Sequence, residues 1–181
     1  AKKREIWAKV IQRRGEIGYP YIFFNDKANQ GAPEVYKEKD LKILASNLCT
    51  EIMLPSNENW SFVCVLSSLN VLHYDKWKDT DAVETMVHFL DAVITEFLDK
   101  LDVYRDSADR EDRQTFLFME RAYNFAKENR ALGLGVLGWH SLLQSKKLAF
   151  SSQGAYDLNT EIFKLIKEKS YKASEELADR F

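Results

Sequence analysis

Two cysteines, Cys49 and Cys64, are all that 181 residues contain. That is too few for a disulfide scaffold, and neither the number nor the spacing suits a zinc site. A reducing, cytoplasmic setting is therefore the expectation. Long apolar runs are missing as well. The densest, Phe62-Val63-Cys64-Val65-Leu66, is far short of the ~18 residues that span a bilayer. No basic-then-apolar leader is visible, so no secretory signal is expected, and Asn59-Trp60-Ser61 is expected to be an idle glycosylation pattern. Charge of one sign is also scarce. A net charge of −2 lacks the electrostatic footprint of a nucleic-acid binder.

What is present is ordinary globular composition, 45% hydrophobic and 30% charged, which excludes a disordered chain. The length suffices for one domain with a real core. The sequence opens on Ala rather than Met, with a helical pattern almost at once, and this hints at a piece of a longer protein.

Residues 3–14 place Ile6, Trp7, Val10 and Ile11 on one helical stripe, with Gly15 as the expected stop. The basic residues around that stripe read as a solvated face. Tyr19–Phe24 is aromatic and β-branched enough for a strand, and Asn25–Asp40, with Gly31 and Pro33, reads as a loop. Ser61–Leu66 reads as a short buried strand. A helix is expected from about 80 to 104, capped by Asp79, Thr80 or Asp81, with Val83, Met86, Val87, Leu90, Val93, Ile94, Phe97, Leu98 and Leu101 on its inner stripe. A second spans about 112–130, with Phe116, Met119, Tyr123 and Ala126 inward. A strand, turn and helix come next over about 131–145, and a last helix over about 158–181, through Ile162, Phe163, Ile166, Ala173 and Leu177. Between Asp75 and Asp112 twelve acids face five bases, which exposed helix faces explain without a partner. The pattern is a few short strands among longer helices, an α/β layer arrangement in one segment.

Chemistry concentrates at Ser46-Asn47-Leu48-Cys49-Thr50-Glu51-Ile52-Met53-Leu54-Pro55. In an extended backbone, with ~3.3 Å rise per residue, Asn47, Cys49 and Glu51 share one face. Leu48, Thr50, Ile52 and Leu54 share the other and are expected to pack inward. An amide, a thiol and a carboxylate on one face make a compact reactive triplet, although a cysteine among apolar residues is more often a small buried hydrophobe.

Other signals are weaker. Gly133-x-Gly135-x-x-Gly138, with Asp157 beyond it, fits the dinucleotide-binding fingerprint, but that site needs a strand immediately before the glycines, where residues 119–130 read as helix. A short strand turning tightly into a helix explains the glycines equally well. Glu84, His88 and Asp91 suggest a metal face without the paired Glu-x-x-His motifs of a di-metal bundle. His73, His88 and His140 read as single interfacial or exposed histidines, and no metal site is expected. Ser67-Ser68 has no base at a recognisable spacing.

Asn47-Leu48-Cys49-Thr50-Glu51, with Cys64 in Val63-Cys64-Val65-Leu66-Ser67, resembles the active-site region of the large, catalytic subunit of class I ribonucleotide reductase. Gly18-Tyr19-Pro20-Tyr21-Ile22-Phe23-Phe24-Asn25-Asp26 before it agrees, as does Asn129-Arg130-Ala131-Leu132-Gly133-Leu134-Gly135-Val136-Leu137-Gly138-Trp139 after it. Leu48 rather than Pro before Cys49 is similar to the class I pattern, not the cobalamin-dependent one. The resemblance runs in order over essentially the whole chain.

The resemblance implies part of a ten-stranded α/β barrel, helix-rich here with a few short strands, whose finger loop (about 45–56) carries the radical cysteine. It implies that Cys49 becomes a thiyl radical that removes the 3′ hydrogen of a ribonucleoside diphosphate. Glu51 is then the general base for the 3′ hydroxyl, Asn47 the group that orients the sugar hydroxyls, and Cys64 one of two redox cysteines. It implies no cofactor in this chain, the radical being supplied by a metal-containing small subunit, with thioredoxin or glutaredoxin as external reductant. The second redox cysteine, the radical-relay tyrosine pair and the allosteric domain are not found in these residues, so the chain alone is expected to be inactive, needing the remainder of the large subunit. The competing expectation is a non-catalytic helical interaction module that retains the ancestral motif.

Overall fold

A computed structural model describes residues 2–180. The chain divides into two compact units, Ala1–Phe62 and Val63–Phe181.

The first unit holds three helices, α1 (Lys2–Ile17), α2 (Asn25–Gln30) and α3 (Glu34–Glu38), and no strand among the described residues. Helix α1 passes through Gly15, the expected stop, because one glycine costs a helix only ~1 kcal/mol. It ends instead at Gly18, whose positive φ of 76° reverses the chain while its N–H reaches the Arg14 carbonyl at 2.9 Å. Tyr19–Phe24, expected as a strand, is irregular backbone, since its aromatic residues find no pairing strand in this unit. The expected loop over Asn25–Asp40 contains α2 and α3. Gly31 and Pro33 punctuate it as the end of one helix and the entry to the next.

Beyond α3, side-chain amides organise the chain. Asn29 Oδ1 accepts from the Ile43 N–H at 3.0 Å while its Nδ2 donates to the Ile43 carbonyl at 2.9 Å, as a neighbouring strand would. Asn25 Nδ2 also donates to Ile43 O, at 2.6 Å. Ile43 is buried, so its polar backbone needs those partners. They fix the chain where it enters the segment carrying Asn47, Cys49 and Glu51.

The second unit pairs two parallel strands, β1 (Val65–Asn70) and β2 (Leu132–Leu137), in the register Val65↔Leu132 to Asn70↔Leu137. A 3-10 turn (Val71–His73) and the short α4 (Tyr74–Trp77) come after β1. Two long helices, α5 (Ala82–Asp106) and α6 (Arg110–Asn129), form the crossover to β2, and α7 (Trp139–Ser145) and α8 (Gln153–Ala178) complete the unit. Parallel strands require such a crossover. Strand β1 lies four residues beyond the expected Ser61–Leu66, because pairing with β2 rather than apolar density sets its ends.

The helices keep to their stripes. Thr80 Oγ1 accepts from the Ala82 N–H at the start of α5, Asp109 caps α6, and Ser152 caps α8. The latter two caps place the starts of α6 and α8 earlier than expected. The expected end of α8, Phe181, lies outside the described residues. Leu69, Val71, Tyr74, Val83, Leu142, Ile162 and Ile166 form the main core cluster, and Leu101, Phe116 and Tyr123 a second one along the α5–α6 hairpin. Phe163, expected inward, is exposed, because Ile162 and Ile166 define the buried stripe one residue away. No helix among the described residues is long and apolar enough to cross a membrane.

Tyr74 illustrates how a polar tip is accommodated in that core. The residue is 1% exposed, and its hydroxyl donates to Glu161 Oε1 at 3.0 Å. Burial, then the Glu161 carboxylate, push its phenol up to about 12 from an ordinary value near 10. A raised native pKa contributes stability that is complete below pH ~10 and lost as pH climbs through ~12. Tyr74→Phe is therefore expected to cost about 1 kcal/mol at pH 7, for the lost hydrogen bond, and to flatten the alkaline fall in stability. Urea melts at pH 7, 10 and 11.5 check both; an unchanged pH dependence in the variant contradicts the assignment.

Candidate active site

The segment between Ile43 and Pro55 returns on itself. The Ser56 N–H meets the Lys42 carbonyl at 3.3 Å at its stem, and the Asn47 N–H meets the Ile52 carbonyl at 3.4 Å near its tip. Between them the chain makes a tight turn, with the Thr50 N–H on the Asn47 carbonyl at 3.1 Å and Thr50 at a left-handed φ of 66°. This corrects the extended reading of Asn47–Glu51. Alternation of polar and apolar residues has the period of a strand, but the Asn47 side chain offers the backbone a nearer partner. Its Oδ1 accepts from the Glu51 N–H at 3.1 Å and the Ile52 N–H at 3.0 Å.

The same amide reaches the carboxylate. Asn47 Nδ2 donates to Glu51 Oε1 at 2.7 Å, a charge-assisted bond that fixes the acid's position on an exposed loop. Asn47 and Glu51 are thus brought together, as expected, though by a turn rather than by strand pleating. Cys49 occupies the apex between them and is exposed. Leu48, expected to pack inward, is 87% exposed beside it, whereas Thr50, Ile52 and Leu54 keep the inward alternation, half-buried. An amide with both Oδ1 lone pairs occupied has one N–H left to give. Any hydroxyl it meets must therefore accept from Nδ2.

Tyr21 adds to this neighbourhood. Its phenol is raised above the ordinary value, chiefly by a side-chain hydrogen bond with Tyr19, then by the Tyr19 charge, burial and the charge of Cys49. The two rings stack with centroids 5.1 Å apart, and the i, i+2 spacing of the tyrosines is the signal that could have found this contact. Asn25 and Asn29 are equally hidden, because the sequence does not say which backbone group an amide will meet.

Cys64 belongs to the second unit, one residue before β1, half-buried, with Sγ 3.9 Å from the Val65 carbonyl. Across the strand pair lies Gly133. A Cβ there would sit 3.2 Å from Cys64 Sγ and would clash outright with Leu66 Cδ2. Gly138 has a positive φ of 82°, and a Cβ there would meet Asn70 Oδ1 at 2.5 Å. Gly133 and Gly135 lie inside β2, and Gly138 turns the chain into α7. That is close strand pairing, not a phosphate cradle, and it excludes the dinucleotide reading. Among the described residues no group of three or more His, Cys, Asp or Glu could hold a metal ion. Asp91 is occupied otherwise, by Arg130 at 2.7 Å. A cavity of about 570 Å³ beside that pair is lined by Val87, Asn129, Tyr171 and Glu175 among others, and by none of Asn47, Cys49, Glu51 and Cys64.

Comparison with known proteins places these features. The family model for the ribonucleotide reductase barrel domain matches residues 1–181. The structure is similar to that of the Actinobacillus ureae class Id ribonucleotide reductase alpha subunit, with a TM-score of 0.84 and 52% identity over 99% of this chain and 32% of that one. The ribonucleoside-diphosphate reductase large subunit of Invertebrate iridescent virus 3 is 36% identical over 179 residues, 98% of this chain and 26% of the relative. That of Caenorhabditis elegans is 33% identical over 181 residues, 98% of this chain and 21% of the relative. The chain thus spans between a fifth and a third of the length of these proteins.

Proposed function

This chain belongs to the ribonucleotide reductase family, as part of its barrel domain, and on that premise we propose that it serves within a large subunit that reduces ribonucleoside diphosphates to 2′-deoxyribonucleotides. The observation that carries this reading is the turn itself. A thiol stands exposed at its apex, with a carboxylate held at 2.7 Å by the amide that also closes the turn.

In the proposed reaction Cys49, oxidised to a thiyl radical, takes the 3′ hydrogen atom of the ribose. The C3′–H bond breaks and an S–H bond forms. Glu51 accepts the proton of the 3′ hydroxyl as general base, and its bond from Asn47 keeps it aimed. Asn47 orients the sugar by donating its second N–H to a sugar oxygen. The 2′ hydroxyl departs as water, and two thiols supply two electrons and finish as a disulfide. The radical cysteine then regains its role when Cys49 returns the hydrogen to C3′.

Cys64 is proposed as one of the two reducing thiols. Cys49 is committed to the radical, so the partner of Cys64 comes from the rest of the subunit. The proposed partners are that remainder, a radical-generating small subunit that carries the metal, and a thioredoxin or glutaredoxin that reduces the disulfide. By itself the chain is proposed to be inactive.

Cys64→Ser in the full-length subunit, assayed with the small subunit and a dithiol reductant, is expected to permit one turnover per site at most. Sustained turnover removes Cys64 from the redox role.

A further inference from the structure

We propose that Asn29 is a positioning residue for Cys49: together with Asn25 it clamps the stem of the turn, and so fixes where the thiol stands relative to the sugar. The inference rests on the reading of Cys49 as the residue that takes the 3′ hydrogen.

The clamp is made by one face of a six-residue helix. Asn25 opens α2 and Asn29 lies one turn later, so the two amides are neighbours. Asn29 is anchored to its own helix, its Nδ2 donating to the Asn25 carbonyl at 2.9 Å. From there it grips both polar groups of Ile43, accepting from the N–H at 3.0 Å and donating to the carbonyl at 2.9 Å. Asn25 Nδ2 adds bonds of 2.6 Å to the same carbonyl and 3.1 Å to that of Leu44. Ile43 is 2% exposed, so this point of the chain is held through its backbone and its side chain alike.

The backbone of the turn does little to hold its own stem. The Ser56 to Lys42 bond, at 3.3 Å, and the Asn47 to Ile52 bond, at 3.4 Å, are both longer than the usual ~2.7–3.2 Å. Pro55 is buried on the returning limb and has no N–H to give. The bonds accepted by Asn47 Oδ1 shape the tip without tying it to the rest of the unit. No strand among the described residues of this unit pairs with the outgoing limb, and the two amides stand where a strand would.

Six residues separate Ile43 from Cys49, an arm of at most ~20 Å. A tilt of about 3° at its base moves the thiol by ~1 Å, and a misplacement of that size costs about a hundredfold in rate. Asn47 and Glu51 ride on the same turn, and the bond between them moves with it. Loosening the clamp therefore acts on the rate at which Cys49 takes the hydrogen more than on substrate affinity.

The test is Asn29→Asp in the full-length large subunit, reconstituted with its small subunit and given ribonucleoside diphosphate with protium or deuterium at C3′ in separate assays. Aspartate keeps the size and the acceptor, but as a carboxylate it cannot donate to the Ile43 carbonyl. The expected result is a kcat about ten- to a hundredfold lower with KM changed less than about threefold. The deuterium effect on kcat is expected to exceed that of the wild type, because hydrogen abstraction has become the slowest step. Asn25→Ala, which leaves both Asn29 bonds to Ile43, is expected to move kcat and the isotope effect the same way to a smaller extent, and it decides the matter where Asn29→Asp does not fold. An unchanged kcat overturns the inference. A lower kcat with the wild-type isotope effect also overturns it, because fewer folded sites reduce turnover without altering how each one breaks the C3′–H bond. In either case a Cys49→Ser subunit that makes no product leaves the role of Cys49 standing. Product formation by Cys49→Ser overturns that role and this inference with it.

Discussion

Serine at position 49 is expected to abolish deoxynucleotide formation by the full-length subunit while leaving the fold untouched. The exchange of sulfur for oxygen is nearly isosteric, and the side chain is exposed at the apex of a turn. Stability should therefore change by no more than ~0.5 kcal/mol, the range of surface substitutions away from packed features. None of the hydrogen bonds that shape the turn involves the thiol, since Asn47 makes them through its amide and backbone. The chemical consequence is total for a different reason. A serine O–H bond is far stronger than a cysteine S–H bond, so the radical source cannot generate the oxygen radical that would replace the thiyl. Product assays with wild-type and variant subunits, beside matched thermal melts, separate the two effects. A variant that melts normally and makes no deoxynucleotide is the expected result.

The second large effect is on stability. Arg130 ends α6 in the left-handed conformation, with φ of 42°, where a glycine would ordinarily stand. Its guanidinium accounts for the choice. Nε donates to Asp91 Oδ1 at 2.7 Å, and Nη2 donates to the Asp91 carbonyl at 3.0 Å and to Thr95 Oγ1 at 2.6 Å. Asp91 is 8% exposed in the middle of α5, so this one side chain ties the end of α6, and the start of β2, to the long helix of the crossover. Removing one member of a buried pair leaves the other charged and unpaired, which costs ~3–5 kcal/mol. Arg130→Ala is expected near the lower end of that range, because the guanidinium is itself 28% exposed. Arg130→Lys should rescue little, since an ammonium cannot reproduce the fork that spans carboxylate, carbonyl and hydroxyl. In a double-mutant cycle, Asp91→Asn combined with Arg130→Ala should cost clearly less than the two single changes summed. Additive costs in urea melts would mean that the pair is not coupled.

The long elements are legible in the sequence because their signals repeat. The stripe from Val83 to Leu101 holds a helical period through the length of α5, and Ile162, Ile166 and Ala173 do the same for α8. Short elements carry too few repeats to separate them from their surroundings. Gly31 and Pro33 look like loop residues until they are seen to flank α2 and α3, where the same backbone preferences mark helix ends. Strand β1 is displaced from its expected place for a different reason. Its ends depend on β2, over sixty residues later in the chain, and a run such as Phe62–Leu66 says that a strand is near without saying which residues pair.

The candidate site is legible in its residues and not in its backbone. Type and spacing single out Asn47, Cys49 and Glu51, and the structure joins the first and last of them. The extended geometry fails because a two-residue alternation over so short a segment fits more than one conformation, and Asn47 holds the backbone it would otherwise leave free. Gly133 and Gly138 show the opposite case. A motif suggestive of nucleotide binding records instead how closely Cys64, Leu66 and Asn70 approach the neighbouring strand.

The most direct measurement is a competition between ribonucleoside diphosphates bearing protium or deuterium at C3′, offered together to the reconstituted full-length enzyme. Preferential conversion of the protium substrate by the wild type, with no product of either kind from Cys49→Ser, is the result predicted by the proposed abstraction of the C3′ hydrogen by a Cys49 thiyl. Equal conversion of the two substrates, together with product formation by Cys49→Ser, would contradict the assignment of Cys49 as the residue that takes the hydrogen.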